Sequence, residues 1–163
     1  MRLCSSGTHD NSGFLHFPIE TLLPQSRGMV LLDRMLEVGE EHIVVELEVR
    51  NDGLFSRPDL TVPAWVGLEY MAQTIAAYSG YHKKCRGEEI ELGFLLGTRH
   101  FKCSAGYFNC GMLLRIRAEK IIQAANDMSV FSCSIEGDNI SASSTLNVLL
   151  PSDAKSFLAG KGI

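Results

Sequence analysis

Between Thr61 and Tyr81 the chain carries one ionisable acid or base, Glu69, apart from the very weakly acidic Tyr70, Tyr78 and Tyr81. The rest of the segment is apolar or small, so this carboxyl group leaves water at a heavy cost unless the fold gives it a hydrogen-bond partner or keeps it protonated. Gln73 stands four residues on. In a helix that spacing puts both side chains on one face, where the Gln73 amide can hold a Glu69 oxygen in a fixed direction. A carboxyl group held in this way is equipped for general acid–base chemistry. The alternative is structural: a carboxylate satisfied by a backbone amide or by a neighbouring subunit.

A second feature precedes it by little more than one turn. Pro63 suits the first turn of a helix, and the N–H groups near Ala64 and Trp65 would then point out of the positive end of the dipole, where they can polarise a carbonyl. Every helix has such an end. Its weight here comes from Glu69, because the two together surround one carbonyl carbon with an electrophilic cradle and an acid or base.

These groups need a rigid support, and the hydrophobic pattern supplies one. The stretch Pro63–Lys83 keeps apolar residues on nearly every face and predicts a long buried helix. Met29–Val38 and His42–Val49 predict a hairpin around Gly39, and Asn51–Thr61, with Gly53, Pro58 and Asp59, predicts a loop. After Arg86 and Gly87 a period of two returns, predicting strands near Glu91–Cys103, Met112–Ala124, Met128–Ile135 and Ile140–Leu149 in an antiparallel meander. Leu15–Leu23 reads as a short amphipathic piece ending at Pro24, and residues 1–13 as a flexible N-terminal tail, leaving 14–163 as one domain. Two strands, a buried helix and four strands predict an α+β hotdog fold, an antiparallel sheet of about six strands wrapped round one central helix.

Composition narrows the partners. Fifteen Lys and Arg against nineteen Asp and Glu give a net charge of -4 with no basic stripe, which argues against nucleic acid. Glu69, Gln73, Ser79 and Gly80 interrupt the helix too often for a membrane span. The five cysteines, Cys4, Cys85, Cys103, Cys110 and Cys133, form no C-x-x-C pair, so neither a zinc site nor a disulfide framework is expected, and they read as reduced thiols of a cytoplasmic protein. The small, polar start of the chain does not resemble an export signal. No glycine-rich nucleotide fingerprint is present, and no cofactor is expected.

The segment Pro63-Ala64-Trp65-Val66-Gly67-Leu68-Glu69-Tyr70-Met71-Ala72-Gln73-Thr74 resembles the central-helix motif of the (3R)-hydroxyacyl-acyl-carrier-protein dehydratases. Leu23-Pro24-Gln25-Ser26-Arg27, followed by Leu31-Leu32-Asp33-Arg34, is similar to their opening L-P-H-R…LL-D-R segment. The closer resemblance is to the dehydratase-like branch associated with aryl polyene biosynthesis, whose V-P-A-W-V-G-x-E-Y-M-A-Q and G-F-L-L-G-T-R motifs both stand here, the second as Gly93–Arg99. The likeness runs from about Phe17 to Leu158.

That resemblance implies a double-hotdog dimer with the active site between subunits, an acyl chain beside the helix, and a phosphopantetheine arm from acyl carrier protein or CoA entering from the surface. In the family a His takes the C2 proton, the helix Glu of the partner subunit protonates the leaving C3 hydroxyl, and an amide at the helix start binds the thioester oxygen. Glu69 matches the acid and the Ala64 N–H the amide, while Gln25, Trp65, Gly67, Gln73 and Arg99 fall around the substrate. The imidazole has no counterpart: the family's G-H-F-P-G loop reads Gly53-Leu54-Phe55-Ser56-Arg57-Pro58 here, and Gln25 stands at the L-P-H position. His16 and His100 are the two histidines placed near the cleft, and both read as surface or packed residues. Three functions follow: a 3-hydroxyacyl thioester dehydratase of fatty acid or polyene biosynthesis, an acyl thioesterase on the same fold, or a non-catalytic acyl-binding subunit. The first two call for a homodimer or higher homo-oligomer, and the third for a heterodimer with a related hotdog subunit.

Overall fold

Alternating residues build a six-stranded antiparallel sheet. The computed structural model describes residues 8–9, 15–124 and 126–151. In chain order it has β1 (Thr8–His9), β2 (Leu15–His16), β3 (Arg34–Val38), β4 (His42–Glu48), β5 (Thr61–Pro63), a 3-10 turn at Ala64–Val66 running into α1 (Gly67–Cys85), then β6 (Phe94–Cys103), β7 (Tyr107–Asn109), β8 (Leu113–Gln123), β9 (Met128–Gly137) and β10 (Ile140–Leu149). The main sheet has the order β3-β4-β8-β9-β10-β6, all neighbours antiparallel, while β1 pairs with β2 and β5 with β7. One helix against this sheet is the expected α+β hotdog arrangement. The proposed tail at 1–13 and the far end of the domain fall mostly outside the described residues, as does Cys4.

Both predicted hairpins form, β3–β4 across Gly39–Glu41 and β9–β10 across Asp138 and Asn139, with Asn139 taking the positive φ that a tight hairpin turn needs. The meander does not hold for β6. Both edges of β8 are taken, by β4 and β9, so β6 crosses to the far side and pairs with β10. Period-two alternation tells which face a residue points to and is silent on which strand lies beside it. The short β5 and β7 carry too few residues to show a period.

Along β8, Leu114, Ile116 and Ala118 turn inward while Arg115 and Glu119 face out, and Phe131, Cys133 and Ile135 of β9 continue the inner surface. Against it α1 lays Tyr70, Met71, Thr74, Ile75, Ala77 and Tyr78, all buried. A second stripe, Leu68, Ala72, Ala76, Ser79 and Lys83, is only half-buried, so within one chain the sheet covers the helix on one side rather than all round. No helix among the described residues is long and apolar enough to cross a membrane. Cys85, Cys103, Cys110 and Cys133 form no disulfide.

The segment before β3 crosses α1 at Gly80, where Leu22 is fully buried and Phe17 meets Tyr81 edge to face. A Cβ on Gly80 would lie 2.0 Å from the Leu22 carbonyl oxygen, so only glycine permits this crossing. Gly80→Ala is expected to cost about 3 kcal/mol as overpacking against backbone. Urea denaturation should show the lowered midpoint, with Gly106→Ala, where nothing lies within 4 Å, as the unshifted control.

Candidate active site

Glu69 leaves the first turn of α1 half-buried, and Gln73 follows one turn later at 1% exposure. The Gln73 Nε2 donates to Glu69 Oε1 at 2.9 Å and to the Met29 carbonyl at 2.8 Å, while Gln73 Oε1 accepts from the Leu31 N–H at 2.9 Å. The backbone fixes which way the amide points, since a carbonyl must face its NH₂ and an N–H its oxygen. Both of its donor hydrogens and its oxygen are therefore engaged. Among the described residues nothing else hydrogen-bonds the Glu69 carboxylate, so Oε1 is held and Oε2 is left to exchange a proton.

The helix start departs from expectation. The Ala64 N–H donates to the Gly106 carbonyl at 3.0 Å, because the β5–β7 register, with Pro63 opposite Tyr107, carries that carbonyl alongside. Ala64 is thus engaged in strand pairing and does not offer a free oxyanion donor. The donors left at this end begin at Trp65. Gly67 is also reassigned: a Cβ there would point at Ile135 Cδ1, 3.0 Å away, and Phe108 Cζ, 3.3 Å away, so the glycine serves helix–sheet packing and does not face a ligand.

Trp65 is 58% exposed and meets Phe55 edge to face at 5.9 Å, with Leu54, Leu60 and Tyr107 also exposed. It belongs to a surface at the helix start, not to the core. Gln25 is half-buried in the loop before β3, and its Oε1 is shut away from solvent with no hydrogen-bond partner among the described residues. Arg99 is exposed on β6, at the opposite edge of the sheet from β3, and one chain does not bring it to Glu69.

No described imidazole reaches Glu69 either. His42 pairs with Glu37 at 2.6 Å in the β3–β4 hairpin. His82 meets the Gly39 carbonyl at 3.2 Å, and lies 13 residues along α1 from Glu69, about 20 Å at the helical rise. His100 is exposed on β6 with a φ of +57°, and one chain does not bring it to Glu69. The side chains of His9 and His16 lie outside the described part. Among the described residues no cluster of three or more His, Cys, Asp or Glu is placed to hold a metal ion.

A cavity of about 210 Å³ opens beside this network, lined in part by Val30, Leu31, Arg50, Leu54, Phe55 and Tyr70. The loop that Gln73 anchors is one of its walls. Tyr70 is 4% exposed, and its phenol is pushed up to about 12 by burial, with Cys110 adding to the rise and Arg50 opposing it. Sequence reasoning did not assign roles to Tyr70 and Arg50. The available signal was a tyrosine in a helix whose other inward residues are mostly aliphatic or small.

Residues 17–159 match the ApeP-like family model, described as ApeP dehydratase. Among solved structures the chain is similar to the dehydratase heterocomplex ApeI:P from Xenorhabdus doucetiae, at 30% identity and a TM-score of 0.80, with 88% of this chain and 97% of that one covered. It shares its fold with Cj0977, a sigma28-regulated virulence protein from Campylobacter jejuni, at 12% identity and a TM-score of 0.55 over 83% of this chain and 89% of the other. The PaaI protein from the phenylacetic acid degradation operon of E. coli is similar at 12% identity and a TM-score of 0.54, over 71% and 81%. No curated protein matches the sequence.

Replacing Gln73 by Met keeps the volume and strips the Leu31 N–H and Met29 carbonyl of their partner. A loss of about 3 kcal/mol is expected from these two unsatisfied groups. Thermal unfolding would register it, and faster proteolysis within 24–31 would show that the loop is what came loose.

Proposed function

The chain belongs to the ApeP-like dehydratase family, and from that premise we propose that it works on 3-hydroxyacyl thioesters of fatty acid or polyene biosynthesis as one half of a two-subunit dehydratase site. The observation that carries this is the Glu69–Gln73 pair, in which one carboxyl oxygen is held and the other is free. In the elimination a base removes the C2 proton, the C2–H electron pair becomes the C2=C3 bond, and the C3–O bond breaks. The departing hydroxyl takes the Glu69 proton and leaves as water.

The base has to come from elsewhere. Leu54, 69% exposed, and Gln25 occupy the two positions where an imidazole would stand, and neither can accept a proton near neutral pH. A homodimer would present the same two residues twice. Pairing with a related hotdog subunit that carries the imidazole completes the site, and the similar ApeI:P structure is a heterocomplex. The open edge of β6, where Leu95 and Leu96 are about half exposed, is the natural place for a second sheet to continue. The thioester arm of acyl carrier protein or CoA would approach by the apolar surface around Trp65. Four cysteines outside any disulfide suit a reducing cytoplasm.

The missing imidazole also favours a second reading, a non-catalytic subunit that binds the acyl chain and supports an active partner. Turnover of a 3-hydroxyacyl-carrier-protein and hydrolysis of an acyl-CoA, measured for the chain alone and mixed with a related hotdog subunit, separate these readings and a thioesterase. Glu69→Gln keeps the shape and the Gln73 contact but carries no titratable proton, so dehydration by the mixed complex should fall about 10²–10⁴-fold with the fold intact. Unchanged turnover would make Glu69 structural. Gln25→His should raise dehydration by the chain alone, and a thioesterase would gain nothing from it.

A further inference from the structure

Tyr70 is the buried polar group that this scheme leaves unused. It follows Glu69 in α1, so the two side chains leave the helix about 100° apart. Its ring packs at 6.0 Å from Phe108 and the residue is 4% exposed, yet among the described residues nothing hydrogen-bonds its hydroxyl. The hydroxyl oxygen itself is not among the polar atoms shut away from solvent without a partner, so it reaches open space beyond the buried ring, and phenylalanine would fill the ring's volume without offering that group.

The hydroxyl has room for a partner. Tyr70 lines the 210 Å³ cavity together with Arg50, whose charge it feels. The guanidinium is already committed, to Asp33 Oδ1 and to the Val30 carbonyl. Much of the remaining wall is apolar, from Val30, Leu31, Leu47 and Phe55. Glu48 and Asp52 also line it and would repel an anionic ligand. What the cavity suits is a neutral acyl chain carrying an oxygen acceptor. Burial keeps the phenol protonated throughout the physiological range, so it donates a hydrogen bond and cannot serve as the missing base.

We propose that the Tyr70 hydroxyl, opening into the cavity beside Arg50, is the hydrogen-bond donor that receives an oxygen of the bound acyl thioester. It would do what the Ala64 amide cannot do while the Gly106 carbonyl holds it. The assignment rests on the thioester reading above and deepens it, because it selects neutral acyl chains over free acids. The receiving oxygen is the thioester carbonyl or the C3 hydroxyl.

Tyr70→Phe removes that single oxygen. The chain, in complex with its hotdog partner, is titrated with saturated acyl and 3-hydroxyacyl pantetheine thioesters of equal length, and the infrared carbonyl stretch of each bound thioester is recorded. Tyr70→Phe should bind about fivefold to tenfold more weakly, the value of one hydrogen bond. Weakening of both ligands with a carbonyl stretch moved to higher frequency assigns the donor to the carbonyl. Weakening confined to the 3-hydroxyacyl ligand, with the stretch unmoved, assigns it to the C3 hydroxyl. The urea midpoint of Tyr70→Phe should equal or exceed that of the wild type, and a marked drop would show a structural partner for the hydroxyl and overturn the proposal. Equal binding of both ligands by variant and wild type overturns it while leaving the thioester reading in place. A wild-type complex that binds neither thioester removes both.

Discussion

The site depends on one buried amide. Gln73 is a polar side chain in an apolar interior, and it is tolerated there because each of its hydrogen-bonding positions meets a fixed group. Two of those groups are backbone atoms of the loop before β3, and the third is the Glu69 carboxylate. The same amide therefore sets the height of the loop over the helix, closes one wall of the cavity and aims the acid. An aliphatic residue of the same length would pack as well and leave two backbone groups without partners.

Around that amide, donors and acceptors have been divided between structure and chemistry. The Ala64 amide, at the electropositive end of the helix, is engaged by the Gly106 carbonyl and extends the β5–β7 pairing. Arg50, the cation of the cavity, is neutralised by Asp33, whose second oxygen accepts the Glu48 N–H. Glu69 Oε2 and the Tyr70 hydroxyl remain uncommitted, and they leave the helix in different directions. The Tyr70 ring lines the chain's own cavity. A site divided in this way is completed by a second subunit, and the half-buried stripe of α1 and the open edge of β6 are surfaces on which such a subunit could be received.

The glycines show how closely the helix is held. Gly80 lets the Leu22 backbone cross it, and Gly67 lets Phe108 and Ile135 press against its first turn. Glu69 is two residues from that second contact, so its position along the sheet is set by packing, and its side chain by Gln73. Rigid support of this kind keeps a single carboxyl oxygen in one place.

Much of this was legible in the residues themselves. The long helix, both hairpins and the strands β8 to β10 follow from periods that backbone geometry imposes locally, and the Glu69–Gln73 contact follows from one helical turn. The tertiary structure decided what those local rules do not reach. The place of β6 beside β10 depends on which edges β8 had left open. The engagement of Ala64 by Gly106, the packing of Gly67 against Phe108 and Ile135, and the pairing of Gln73 with Met29 and Leu31 all join residues dozens of positions apart. Hydrogen-bond partners at such separations are chosen by how the whole chain packs, so the Tyr70 hydroxyl could be recognised as opening into a cavity, with no partner among the described residues, only once that cavity had been formed.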